Sequence, residues 1–259
     1  MKKCIWCLQL NNDTTEEHII PETLGCPPEF VFKDGTVCQS CNNKLGHVDQ
    51  AVINDFDFAS FEAGIKRKGN RPASIRSRGN VCAGYGAEGK FIFFNMGPGQ
   101  VKDPSNNIVA PFNGSNRHIN ATFMREGHLG KASFDVKFAI SKKFRRGIYK
   151  IGLNTLAYFL GRNKALHDDF NPIREFVVRG KGDRTIFIRA CENKNYSNQV
   201  WPPYVNERNY FSIVLRIVFI EFLMDLSPDC SITPVVYEKS KEVYGDQGWT
   251  YMPKNFHHN

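Results

Sequence analysis

Two Cys-x-x-Cys pairs constrain this chain more than any other feature. Cys4 and Cys7 form the first pair, Cys38 and Cys41 the second, and thirty residues, Leu8 to Val37, lie between them. Each pair sets two thiolates on one side of a tight turn. Two such turns close a tetrahedral four-thiolate site, a geometry that suits Zn²⁺. Four protein ligands leave no open coordination position, so zinc there is structural. Residues 1 to about 55 hold little continuous apolar sequence, and so small a segment needs a staple of this kind. Cys26, Cys82, Cys191 and Cys230 have no such pairing and read as small buried residues.

Eight cysteines would suit disulfides in a small secreted protein. Here the chain has 259 residues and no visible export signal, so metal is the better reading. The most apolar run, "FSIVLRIVFIEFLM", contains Arg216 and Glu221 and makes a poor membrane span. A soluble, cytoplasmic protein with no membrane partner is expected. Apolar residues make up 41% and charged residues 23%, which favours a packed core over disorder. A net charge of +8 favours a polyanionic partner.

The fold class expected is α+β, with a small zinc-stapled module at residues 1–62 and a larger domain with antiparallel sheet at 63–259. In the module, "EFVF" and "GTVC" read as short strands with "KDG" as turn chemistry. Leu45, Val48, Val52 and Ile53 recur at helical spacing and predict a helix from Asn42 to about Phe61. A Gly- and Arg-rich stretch follows, then short apolar runs ("KFIFFNMG", "NIVAPF", "HINATF", "FDVKFAI") that read as strands. "SKKFRRGIYKIGLNTLAYFLG", with a Ser cap and a closing Gly, is the strongest helix signal. "DDFNPIREFVVRG" predicts a second, shorter helix. "RTIFIRAC", "YFSIVLRIVFIEF" and "ITPVVYE" predict strands.

Between the cysteine pairs stands "EEHIIP", with Glu17 and His18 at its centre, and Cys41 leads directly into "NNKLG". The combination of Cys-x-x-Cys, Glu-His-Ile-Ile-Pro and Cys-x-x-Cys-Asn, with a Gly four residues after that Asn, resembles the HNH endonuclease family and its ββα-metal fold. The resemblance covers about the first 50 residues. It implies a metal-dependent endonuclease acting on DNA, with His18 as the base that activates water. It also implies that Glu17 and Asn42 hold a catalytic Mg²⁺ or Mn²⁺. Asp34 stands nearest to the family's middle Asn, and Asn43 and His47 remain alternative ligands.

The chemistry fits on its own terms. Phosphodiester hydrolysis needs a base for water and a cation for the charge on the phosphate, and neutral imidazole takes up a proton near pH 7. A carboxylate and an amide oxygen are hard donors suited to Mg²⁺. Adjacent residues on a regular strand face opposite ways, so Glu17 and His18 share one site only where the strand bends or ends.

Two basic clusters, Lys66, Arg67, Lys68, Arg71, Arg76 and Arg78, and Lys142, Lys143, Arg145, Arg146 and Lys150, suit either a phosphate backbone or a solvated face. Arg146, Lys150 and Asn154 recur every four residues and share one face of a helix. Restriction or phage defence is the role such an architecture suggests, with target selection by residues 63–259. Double-strand cleavage by a one-site chain needs a homodimer or two sequential events. The rival readings are a non-catalytic zinc-dependent nucleic-acid binder and an RNA-cleaving nuclease.

Overall fold

The computed structural model describes residues 1–12, 15–56, 59–60, 63–67, 139, 141–191, 197–244 and 249–252, together with strands between 71 and 135; the strand residues from 66 to 135, and Tyr244, are described by backbone alone. The chain forms two compact units, Met1–Phe56 with Ala139–Asn259, and Asp57–Phe138. The run 63–259, expected as one domain, is thus shared between them.

In the first unit a short antiparallel pair, Lys2–Lys3 with Leu10–Asn11, frames the first Cys-x-x-Cys turn. A second pair joins Glu17–His18 to Val31–Phe32, with Glu17 opposite Phe32 and His18 opposite Val31. Helix α1 then runs Gln39–Asp55. It begins three residues before the expected Asn42, because Cys38 is its N-cap and the Cys38 sulfur accepts from the Cys41 amide. "GTVC" was expected as a strand and is not one. Asp34 Oδ1 accepts from the Thr36 amide at 3.2 Å and the Thr36 hydroxyl at 2.6 Å, which holds that stretch in a turn leading into the helix.

Helix α2, Lys142–Leu160, follows the reading of the sequence closely. The Ser141 hydroxyl accepts from the Phe144 amide at 3.0 Å, and Gly161 closes the helix at φ 84°. Residues Phe144 to Ala157 are buried on nearly every face, so α2 is the central post of the unit. Small residues let it approach its neighbours. A Cβ on Gly147 would lie 2.7 Å from the Val48 carbonyl oxygen of α1, and a Cβ on Gly152 would strike the Met224 sulfur. Phe56, Phe144 and Phe222 meet around one point, with ring centroids 5.9 to 6.3 Å apart.

Behind α2 lies a six-stranded antiparallel sheet. Its path runs Gln199–Val200, Phe211–Ile217, Ile220–Asp225, Ile186–Ala190 and Thr250–Met252, and Tyr204–Val205 also pairs with Phe211–Ile217. The long apolar run is a tight hairpin that turns at Val218–Phe219, with Val218 at φ 61°. "DDFNPIREFVVRG" is helical from Asp168 to Arg179 in successive 3₁₀, α and π turns. "ITPVVYE" departs from expectation. It opens helix α3, Ile232–Tyr244, although its β-branched residues favour a strand. Asp225 decides the outcome: its Oδ2 accepts from the Ile232 and Thr233 amides and the Thr233 hydroxyl, supplying the acceptor that a helix start needs. Pro234 sits in the first turn, where it is tolerated.

In the second unit every described strand is paired antiparallel. Lys66–Arg67 pairs with Arg71–Pro72, Val101–Lys102 with Ile108–Ala110, and Asn120–Glu126 with Leu129–Asp135. Ser74–Arg76, Val81–Tyr85 and Ile92–Met96 make three strands in a row. Three of the four apolar runs read as strands in this region carry one; in "FDVKFAI" the strand reaches only Asp135, and 136–138 lie outside the described residues. The side chains of the first basic cluster and of Cys82 also lie outside them. No described helix is long and apolar enough to cross a membrane.

The contact at Gly147 gives a direct test. Gly147→Ala overpacks the α1–α2 crossing and should cost about 1–3 kcal/mol of unfolding free energy in a urea titration, whereas Gly46→Ala, in open space on α1, should not destabilise the protein.

Candidate active site and zinc cluster

The four sulfurs of Cys4, Cys7, Cys38 and Cys41 all lie within 4.8 Å of one another. A tetrahedron with Zn–S bonds of about 2.3 Å has edges of about 3.8 Å, and the Cys7–Cys38 separation is 3.8 Å. Backbone amides point at the sulfurs: Trp6 and Cys38 donate to Cys4 at 3.4 and 3.3 Å. The Cys41 thiol's hydrogen bond holds the Cys4 thiol down at about 5 against the effect of burial, helped by the amides of Cys38, Cys7 and Trp6. The same bond pushes the Cys41 thiol up. Four clustered thiols with amide support are consistent with structural zinc, which binds as the thiols give up protons. Cys26, Cys191 and Cys230 are half-buried rather than fully enclosed, and burial pushes the Cys26 thiol up to about 11.

The strand that carries Glu17 and His18 is two residues long and gives way at once to a bend at Ile19–Ile20. Ile19 and Ile20 are completely buried and anchor that bend. Glu17 points inward at 2% exposure, while His18 is half-exposed. Asn42, in the first turn of α1, donates through Nδ2 to the Glu16 carbonyl at 3.1 Å, which lays the start of α1 against this strand and leaves the Asn42 carbonyl oxygen out of that bond. Among the described residues no direct hydrogen bond joins the side chains of Glu17, His18 and Asn42.

Glu17 has partners that were not foreseen. Its Oε1 lies 2.7 Å from the Lys150 ammonium and accepts from the Asn154 amide at 3.0 Å. Lys150 also pairs with Asp49 Oδ2 of α1 at 2.6 Å. The Lys150 and Glu17 side chains are each 3% exposed. Burial alone would lower the Lys150 pKa, but the Glu17 and Asp49 carboxylates outweigh it and hold the amine above its ordinary value, so it stays charged. Asn154 completes the group by accepting from the Trp6 indole N–H at 3.2 Å, beside the zinc cluster.

This overturns one reading of the second basic cluster. Arg145 and Lys150 are buried, and Arg145 pairs with Asp183 at 2.7 Å. Arg146 donates to the Val177 and Val178 carbonyls and to His47 Nε2 at 3.2 Å. These side chains satisfy internal acceptors and do not form a face that tracks phosphates; Lys142 and Lys143 alone are exposed. His47, with Nδ1 on the Lys44 carbonyl and Nε2 on Arg146, is engaged at both nitrogens. Asn43 is exposed, and Asp34 pairs with Lys2 at 3.0 Å. The signal for Lys150 and Asn154 was present in the sequence as a polar stripe on a helix otherwise lined with apolar residues. A stripe in that setting must find buried partners.

Comparison with known families settles the module. Residues 4–57 match the model of a family described as HNH endonuclease. The chain carries an HNH endonuclease module. That match places both cysteine pairs, Glu17, His18 and Asn42 within the HNH segment. The family implies a nuclease, and a nuclease implies a nucleic-acid substrate. No curated protein and no solved structure matches the chain.

Two measurements check this geometry. Purified protein should contain one zinc per chain, and stripping it with a chelator should lower the thermal transition temperature. Lys150→Met leaves the buried Glu17 and the half-buried Asp49 without their shared counter-charge and should cost about 3–5 kcal/mol in a urea titration.

Proposed function

We propose that this protein is a divalent-metal-dependent endonuclease that hydrolyses DNA phosphodiester bonds, with His18 as the base that takes a proton from the attacking water. The observation that carries the reading is the HNH match over a segment in which Asn42, in the first turn of α1, donates to the Glu16 carbonyl just before the Glu17–His18 strand. His18 is half-buried and so keeps some of the access that a base meeting a substrate requires. Glu17 and Asn42 are the residues that would hold Mg²⁺ or Mn²⁺. Both contacts on Glu17 fall on Oε1 and the Asn42 contact falls on Nδ2, so one hard oxygen on each side chain is outside these bonds. When bound, the ion supplies positive charge for the scissile phosphate and the leaving oxygen. The start of α1 adds amide dipoles that favour a phosphate.

Target selection belongs, in this reading, to residues 63–259, and restriction or phage defence is the role proposed by analogy of architecture. Double-strand cleavage would call for a homodimer or two successive nicks. One observation favours the rival, a zinc-dependent nucleic-acid binder without catalysis: Lys150 already neutralises Glu17. The two separate cleanly. With Mg²⁺ or Mn²⁺ and a panel of plasmid and modified phage DNA, wild type should cleave, and His18→Ala should lose about 10²–10⁴-fold in rate while retaining DNA binding. Intact DNA throughout supports the binder, and cleavage confined to total RNA redirects the substrate.

A further inference from the structure

Glu17 lies in a module of about fifty residues, yet both groups that fix its carboxylate come from α2, far along the chain. The Lys150 ammonium and the Asn154 amide converge on the same oxygen, Oε1, at 2.7 and 3.0 Å. Neither donor is free to drift. Lys150 is tied on its other side to Asp49 Oδ2 at 2.6 Å, and the Asn154 carbonyl oxygen is held by the Trp6 indole at 3.2 Å. Lys150 and Asn154 are spaced i, i+4 on a helix that is buried through this region, so they present a rigid two-pronged clamp. With the Glu17 side chain also held by burial at 2% exposure, clamping one oxygen fixes the direction of the second, because both lie in one plane about the same carbon.

We infer that Lys150 and Asn154 are positioning residues of the nuclease site: by holding Glu17 Oε1 they aim the other carboxylate oxygen toward the divalent ion that Glu17 and Asn42 share. The inference rests on the metal-dependent reading above. It goes beyond that reading by making α2 part of the site, through side chains that touch neither the ion nor the DNA. Partners of this outer kind orient a ligand, and removing one characteristically costs 10–100-fold in metal affinity or activity.

The test uses the zinc-loaded full chain and Mn²⁺ alone, titrated by the loss of the free-ion electron paramagnetic resonance signal. Asn154→Ala removes a donor without changing charge and should weaken Mn²⁺ binding by about 10–100-fold. In the cleavage assay it should lower kcat with KM for DNA unchanged. Asn154→Ser, whose hydroxyl is too short to reach Glu17, carries the same expectation if the alanine variant does not fold. Thr233→Val is the control for a purely structural role: it removes a buried hydrogen bond to Asp225, touches none of Glu17, Lys150 and Asn154, and should lower stability while keeping the wild-type Mn²⁺ affinity. Folded Asn154 variants that bind Mn²⁺ as wild type does would overturn the positioning role and leave the nuclease reading standing. Failure of wild type to bind Mn²⁺ removes the metal site itself, and the positioning role with it.

Discussion

The Lys150 ammonium, buried between Glu17 and Asp49, is the interaction on which the rest of the unit depends. A charge so enclosed is tolerable only with its counter-charges in place. Those counter-charges come from the Glu17–His18 strand and from α1, while the amine comes from α2. The strand, the first helix and the second helix must therefore assemble together. One consequence is geometric: the strand bearing His18 is set against α2 by its neighbour Glu17, with the imidazole left at the half-exposed side.

Other side chains from beyond residue 139 reinforce this. The buried Arg174 donates through Nε to the Ile5 carbonyl at 2.7 Å, inside the first Cys-x-x-Cys turn. Asn198 donates to the Leu24 and Gly25 carbonyls at 2.6 and 2.8 Å, just past the His18 segment, and accepts from the Val218 amide in the sheet hairpin. The module's backbone is thus gripped at several points by the region that follows. A segment of this size buries too little surface to be stable alone. The four-cysteine cluster, consistent with structural zinc, lies at one end of it, and α2 with the sheet secures the rest.

Much of this was legible in the sequence where the physics is local. Cysteine spacing announced the four-thiol cluster, because two turns and four thiols leave few other solutions. Ser141 and Gly161 marked the limits of α2, because capping is decided within a few residues. The Glu-His pair between the two cysteine pairs announced the HNH segment through the family it resembles. What escaped was non-local. Asn154 lies 137 positions from Glu17, and no periodicity connects them. Arg145, Arg146 and Lys150 looked like a basic face because composition cannot tell a buried counter-charge from a solvated one. "ITPVVYE" looked like a strand by propensity, and Asp225, several residues upstream, imposed a helix through its carboxylate.

In the function proposed above, Glu17 is the point at which fold and chemistry meet: one of its oxygens serves α2, and the other is the one proposed to bind the ion. Anomalous diffraction at the manganese edge, on crystals soaked in Mn²⁺, tests this most directly. The account predicts one manganese peak about 2.1–2.2 Å from a Glu17 oxygen and the Asn42 carbonyl oxygen, with Lys150 and Asn154 still on Oε1 and the His18 imidazole beside the ion's open face. A peak held by other residues, or a Glu17 carboxylate bound only by α2 with manganese present elsewhere, would contradict it.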